Sequence, residues 1–414
     1  MGLQMRKKQN GVWPWLNGEP HTRPLWFHCS SGEFEYAKPV LRELKAKYPQ
    51  EKILVTYFSP SVKKSVASCQ EVDFSCPLPW DEKKLWDEFL KFHLPKGLFI
   101  ARTDLWPMMI LRTHHKKIPM VLFSKTSASP KKGLARWMEK KLLRKLSAIF
   151  CVTSEDRDNL LKLIGDHVPV HAAGDTRYDQ VIWRLSHPKN LKPLNNFHRP
   201  IFVAGSTWAG DEDILLPVIE TLGREISFVI APHEPSDKHL TALAKKLRSK
   251  DLDFSWYSQT QSWDPMKVLI IDEVGILADL YRWSLYSFIG GSMDRSVHSV
   301  MEPLAQGNLC FVGPNHHNNR EALHFKDVFV DGWACVQETH SAKDFIEKLS
   351  NIYLAWTSAS KEQLKREVTG KTGSSQILIR WIESQVLSTY DSENMKPTRL
   401  DESPAPSHGR SYNP

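Results

Sequence analysis

What most constrains the fold of this chain is an alternation that runs through it twice: short β-branched or aromatic runs, each followed by a longer amphipathic stretch. From Leu25 the runs LWFHCS, KILVTYFS, GLFIART, IPMVLFS and AIFCVTS alternate with helix-like segments such as FEYAKPVLRELKAKY and EDRDNLLKLIG. A strand followed by a crossover helix pairs in parallel with the next strand, and parallel strands read as continuous apolar runs because helices cover both faces. The periodicity stops in RLSHPKNLKPLNNFHRP, whose prolines and asparagines suit a linker, and resumes with PIFVAGS, SFVIAPH, KVLIIDE, SFIGGS and LCFVGPN. The expectation is an α/β chain of two doubly wound, Rossmann-like parallel sheets facing a cleft. A chain of 414 residues agrees, since it exceeds what one core normally supports.

The domain reading is therefore an N-terminal segment at 1–24, a first domain at 25–182, a linker at 183–199 and a second domain at 200–387. A polar, proline-bearing tail without hydrophobic period follows at 388–414 and is expected to be disordered. No run approaches the roughly 20 apolar residues of a spanning helix, and Met1 to Lys8 leads into no signal-like apolar stretch, so the chain is expected to be neither exported nor threaded through a membrane. The six cysteines are scattered without a C-x-x-C pair, which points to a reducing compartment and away from a zinc site or a disulfide framework. A formal charge of +8 favours anionic partners. Nucleic acid is not expected among them, because no helix-turn-helix, zinc finger or aromatic-plus-basic signature accompanies the charge.

Doubly wound folds bind ligands beyond the carboxyl ends of their strands, so the residues just after each apolar run are the candidates. After LWFHC comes Ser30-Ser31-Gly32-Glu33, where a glycine permits a tight turn and a carboxylate stands at the start of a helix. Glu33 there can deprotonate a hydroxyl, or simply complement the helix dipole. Ser206 and Thr207 follow PIFVAG and would hold a phosphate or cap the next helix. Glu302 precedes Pro303, a residue suited to a first helical turn, and would accept from ribose hydroxyls or act as a cap. His233, after SFVIAP, reads equally as a ligand contact or as a structural histidine.

Taken in order, WFHCSSGEFE, ILVTYFSPS, Asp104-Leu105-Trp106-Pro107, GDTRYD, GSTWAGDE, IAPHEP, DEVGILADLY, GGSMDRSVHSVMEP and GPNHHNNREA resemble the bacterial 3-deoxy-D-manno-oct-2-ulosonic acid (Kdo) transferases from about Trp26 to about Leu378. The resemblance implies the GT-B glycosyltransferase architecture, which phosphorylases and sugar epimerases share. It implies CMP-Kdo as donor substrate, a lipid A precursor as acceptor, and inversion at the anomeric carbon with no metal ion or other cofactor. It also implies peripheral residence on the cytoplasmic face of a Gram-negative inner membrane. Carried over by position, Glu33 is the general base and Arg177 opposes charge in the transition state. Pro232, His233, Val274, Gly275, Ile276, Ser299, Val300, Met301 and Glu302 surround CMP, with Ser206 and Thr207 also on the donor side.

Four positions depart from the family pattern. The stretch before Ser30 is one residue short, Arg102 stands where many members carry glutamate, His233 replaces an arginine, and Ser299 replaces an asparagine. Two rivals follow: a CMP-sugar transferase with another acceptor, and a degenerate relative that binds nucleotide or lipid without catalysis. A helix at Lys131 to Leu146 would place Leu134, Trp137, Met138, Leu142 and Leu146 on one face and Lys132, Arg136, Lys140 and Arg144 on another. That pattern suits peripheral contact with an anionic membrane surface, or an ordinary solvated helix.

Overall fold

Strand β1 (Leu25–His28), buried at every position, lies inside the first sheet, third from one edge. In the computed structural model, which describes residues 13–16, 19–127, 132–189, 191 and 199–388, it is flanked by β2 (Ile53–Tyr57), β3 (Phe74–Pro77), β4 (Gly97–Ala101), β5 (Met120–Lys125), β6 (Ala148–Cys151) and β7 (Val170–Ala172). The order is β3-β2-β1-β4-β5-β6-β7, with every pairing parallel. Successive residues of a strand point to opposite faces. Phe27, Val55, Phe99 and Val121 therefore pack with Phe34 and Val40 of the helix Phe34–Lys47. Their neighbours Trp26, Leu54, Leu98 and Leu122 pack with Trp86 and Phe89 of the helix Lys83–His93 on the other side.

The second sheet has the same plan. It is built from β8 (Ile201–Thr207), β9 (Ser227–Pro232), β10 (Phe254–Trp256), β11 (Val268–Ile270), β12 (Tyr286–Ile289) and β13 (Leu309–Val312). After a small antiparallel pair, β14 (Phe329–Val330) and β15 (Trp333–Ala334), strand β16 (Val336–Glu338) completes the sheet in the order β10-β11-β9-β8-β12-β13-β16. The expected two doubly wound α/β sheets are present. Five strands in each were legible as apolar runs; the others, β3, β7, β10 and β16, are the four sheet edges. Edge strands are half covered, and the burial of β7 and β10 shows no fully buried residue, so neither carries a continuous apolar run.

The two compact units divide at Ala173/Gly174 and again at Ser375/Gln376. The helix Thr176–Ser186, which the sequence suggested as the end of the first domain, joins the second unit, because Tyr178 and Val181 enter the core of Phe202 and Ile219. Leu378, Ile379, Ile382, Val386 and Leu387, read as the end of the second domain, bury themselves instead in the core of Phe27 and Phe34. Residues 190 and 192–198 of the expected linker and nearly all of the expected tail lie outside the described residues, as does most of the N-terminal segment.

Candidate functional site

In each sheet the order reverses beside one central strand, and the crevice at that point is where doubly wound folds hold ligands. In the first unit this lies between β1 and β4, and three chain segments reach it. Register pairs His28 with Thr56 and with Ile100, so Ser30, Phe58 and Arg102 each stand two residues beyond the same level. Phe58 N and Ser59 N both donate to Ser30 O, at 3.1 and 2.8 Å, binding the loops after β1 and β2 together.

Glu33 occupies the N-cap position of the helix Phe34–Lys47 yet makes no side-chain cap bond. Its Oε2 accepts instead from Ser31 N at 2.8 Å, which leaves the rest of the carboxylate's acceptor capacity for a hydroxyl. Burial, and then the charge of Glu33, push the Cys29 thiol well up, so that thiol stays protonated at the base of the loop. Arg102 adopts a left-handed backbone at φ 61°, Asp104 at 69° and Ser124 at 51°, all just past β4 or at the end of β5. Non-glycine residues seldom sit there, and such strain gathers at functional sites. The Arg102 guanidinium donates to the Tyr36 hydroxyl and lies 5.0 Å over the Tyr36 ring.

In the second unit the switch lies between β8 and β12. Ser206 is the bulge residue of β8, at φ 56°, where the register with β9 shifts. Asp211, one per cent exposed, accepts from Trp208 N (2.9 Å), Gly291 N (2.7 Å) and Met293 N (3.2 Å), so one carboxylate ties the loop after β8 to the loop after β12. Burial pushes its carboxyl above the ordinary value, and the three N–H donors oppose that shift.

Four of the residues singled out from the sequence, Arg177, His233, Ser299 and Glu302, fall into two linked groups in this unit. Arg177 Nη2 donates to Ser299 Oγ at 2.9 Å, and Ser299 Oγ donates to Glu302, making a chain of three half-buried groups. The exposed His233 stacks on His298 with ring centroids 4.1 Å apart and lies 5.0 Å from Trp208, over which Arg295 sits at 3.7 Å. Trp208 Nε1 donates to His298 Nε2 at 3.2 Å, which places the proton of the neutral His298 ring on Nδ1. Burial, and then His233 and Arg295, hold the His298 pKa below its usual value.

Other candidates are differently placed. Thr207 is fully buried and donates to Glu212, while Pro232, Ile276, Val300 and Met301 also turn their side chains into the interior, leaving the main chain as their route to a ligand. Gly275, at φ 83°, receives Lys189 Nζ on its carbonyl beside Val274, which is 76% exposed. That loop leads into Leu277 and Tyr281, which pack on Gly205. Burial pushes the Tyr281 hydroxyl well up, with smaller contributions from Cys310 and then Glu302. Trp208, Asp211, Arg295 and His298 were not chosen from the sequence. Trp208 carried the available signal, a large aromatic immediately after an apolar run.

Known proteins resemble the chain along most of its length. A family model described as 3-deoxy-D-manno-octulosonic-acid transferase (kdotransferase) matches residues 4–180. The 3-deoxy-D-manno-octulosonic acid transferase of Aquifex aeolicus is 26% identical over 353 residues, covering 84% of this chain and 90% of that protein. That of Haemophilus influenzae is 25% identical, covering 86% and 83%. Among solved structures, UDP-GlcNAc 2-epimerase from Neisseria meningitidis aligns with a TM-score of 0.61 at 16% identity, over 87% of this chain and 99% of that one. A glycosyltransferase from Rickettsia africae aligns at 0.55 and 13%, over 90% and 99%. The structural likenesses show the fold alone.

Proposed function

Because the chain belongs to the Kdo transferase family of glycosyltransferases, we propose that it moves Kdo from CMP-Kdo onto a lipid A precursor, with inversion at the anomeric carbon. The observation that carries the donor side is the Arg177–Ser299–Glu302 chain beside the His233–His298–Trp208–Arg295 stack in the second unit. Glu302 would accept from the ribose hydroxyls, and Arg177 would face the phosphate. On the acceptor side, Glu33 stands at the switch crevice of the first unit with its carboxylate held by Ser31 N.

In the reaction an acceptor hydroxyl oxygen forms the new bond to the anomeric carbon while the bond from that carbon to the CMP phosphate breaks. The hydroxyl proton passes to Glu33, and the charge growing on the departing phosphate is opposed by a guanidinium already in place. Nothing in this sequence of events asks for a metal ion. His233 in place of an arginine and Ser299 in place of an asparagine keep a polar side chain at each position, and Ser299 still links Arg177 to Glu302.

Contact with the anionic surface of the inner membrane, from the cytoplasmic side, belongs to the same reading. No helix of the described residues is long and apolar enough to cross a membrane. The helix Gly133–Leu143 divides its apolar residues: Leu142 and Leu143 are buried, whereas Leu134 and Trp137 are 74% and 49% exposed, with Lys141 over the Trp137 ring. An exposed Leu and Trp among lysines and arginines suit shallow insertion at a headgroup layer.

The test is incubation with CMP-Kdo and tetraacylated lipid A precursor, reading the product by mass. Glu33→Gln keeps size but cannot take the proton, so turnover is expected to fall by about two to four orders of magnitude while CMP binding persists. Absence of a Kdo adduct with the unaltered protein would overturn the function, and near-normal turnover by Glu33→Gln would overturn the mechanism.

A further inference from the structure

The first unit presents an aromatic pair of which one member, Trp106, packs against the core while the other, Phe58, is no part of it. Phe58, just past β2, is 41% exposed, although aromatic side chains of this size are normally covered. It stacks on Trp106, just past Asp104, with centroids 5.3 Å apart and planes 26° from parallel. Both anchors are rigid. The Phe58 amide is bonded to Ser30 O, three residues before Glu33. Immediately after Trp106, the helix Pro107–His115 is pinned by Asp81 Oδ1, which accepts from Met108 N at 2.9 Å, Met109 N at 3.3 Å and Trp86 Nε1 at 3.2 Å. Two aromatic residues from different loops are thus stacked beyond the strand ends of the first unit, Trp106 backing a partly exposed Phe58.

A flat aromatic face with an electron-rich π-cloud attracts the polarised C–H bonds on the less polar face of a pyranose ring, and a preorganised face does so without ordering cost. We infer that Phe58, backed by Trp106, is the stacking face for a hexopyranose ring of the acceptor, the ring whose hydroxyl is delivered to Glu33. The inference rests on the acceptor reading above and deepens it: Glu33 takes the proton, and Phe58 positions the sugar that carries it. The register that puts Ser30 and Phe58 at one level, with the Phe58 amide on Ser30 O, brings the loop carrying Phe58 against the loop that leads to Glu33. Specificity for a sugar headgroup then resides in the loop after β2, independently of acyl chains.

The experiment compares Phe58→Ala, Phe58→Tyr and Phe58→Leu in the full chain. Transfer kinetics with CMP-Kdo and the tetraacylated precursor should show the acceptor KM of Phe58→Ala raised about tenfold, with kcat and CMP affinity within about twofold. Phe58→Tyr should restore the KM, because the face is kept, and Phe58→Leu should not. A thermal midpoint for each variant separates these effects from misfolding. Saturation-transfer NMR with a deacylated, bisphosphorylated glucosamine disaccharide, without donor, reads the stacking apart from turnover. Transfer to the sugar ring protons in the unaltered protein and its loss in Phe58→Ala support the inference even if Kdo transfer itself fails. An unchanged KM in Phe58→Ala, rescue by Leu as complete as by Tyr, or undiminished saturation transfer would overturn it.

Discussion

Gly290 offers the sharpest test of how the second unit holds its ligand loops. It follows β12 at the switch point, where a Cβ would lie 2.1 Å from Ser206 O, 2.5 Å from Ser206 C and 2.7 Å from Thr207 Cα. These are backbone atoms, so no side chain can swing aside. To reach the 3.0 Å that real Cβ atoms respect, the two loops must part by about 0.9 Å, the difference between 3.0 and 2.1. The contacts that resist are Gly290 N to Gly205 O at 2.8 Å and the bonds from Gly291 N and Met293 N to buried Asp211. Overpacking costs about 1–3 kcal/mol, and weakening one bond to a buried charge adds about 1.5–3. Gly290→Ala should therefore cost about 3 kcal/mol or more, lowering the second unit's midpoint by roughly 6–12 °C at the 2–4 °C per kcal/mol of a unit this size. Gly32→Ala is the matched control, since nothing lies within 4 Å of its Cβ, and it should stay within about 0.5 kcal/mol. Differential scanning calorimetry of both variants decides the matter. A Gly290→Ala protein that melts with the parent shows that the two loops are not held in the close approach described.

Three further outcomes are expected. Glu302→Ala removes the acceptor at the end of the Arg177–Ser299 chain and should weaken CMP binding by about 1–3 kcal/mol in titration calorimetry; equal affinity would return Glu302 to a structural role. Replacing exposed Leu134 and Trp137 together by Glu should reduce sedimentation with vesicles rich in anionic lipid while the rate on detergent-dispersed acceptor holds, and unchanged sedimentation would remove this helix from the membrane contact. Burial pushes the Glu212 carboxyl above its ordinary value although His239 accompanies it at 2.7 Å. A raised folded pKa gives stability that is present below the unfolded value near 4.5 and is lost as pH rises through the folded one. The parent should therefore lose ground to Glu212→Gln as pH rises above about 4.5, and a gap in thermal midpoint that stays constant or moves the other way contradicts this.

The sequence by itself determined the two doubly wound sheets, because β8, β9 and the other central strands are covered on both faces and must be written as unbroken apolar runs such as IFVAGST and SFVIAP. It also offered candidate positions for chemistry, since polar residues following those runs come after strand ends: Glu33, His233 and Glu302 were picked out that way. Only the tertiary structure decided the rest. The edge strands β7 and β10 pair on one side and face solvent, so their short, mixed sequences carry no signal of their own. The apolar stripe of Leu378, Ile379 and Ile382 states that the last helix buries one side but cannot state in which core. The role of Asp211 is invisible locally as well. Its partners Gly291 and Met293 lie about eighty residues away, and a hydrogen bond across that distance leaves no periodicity in the chain. The Phe58–Trp106 and His233–His298 stacks arise for the same reason, from parallel register bringing loop residues of separate βα units to one level.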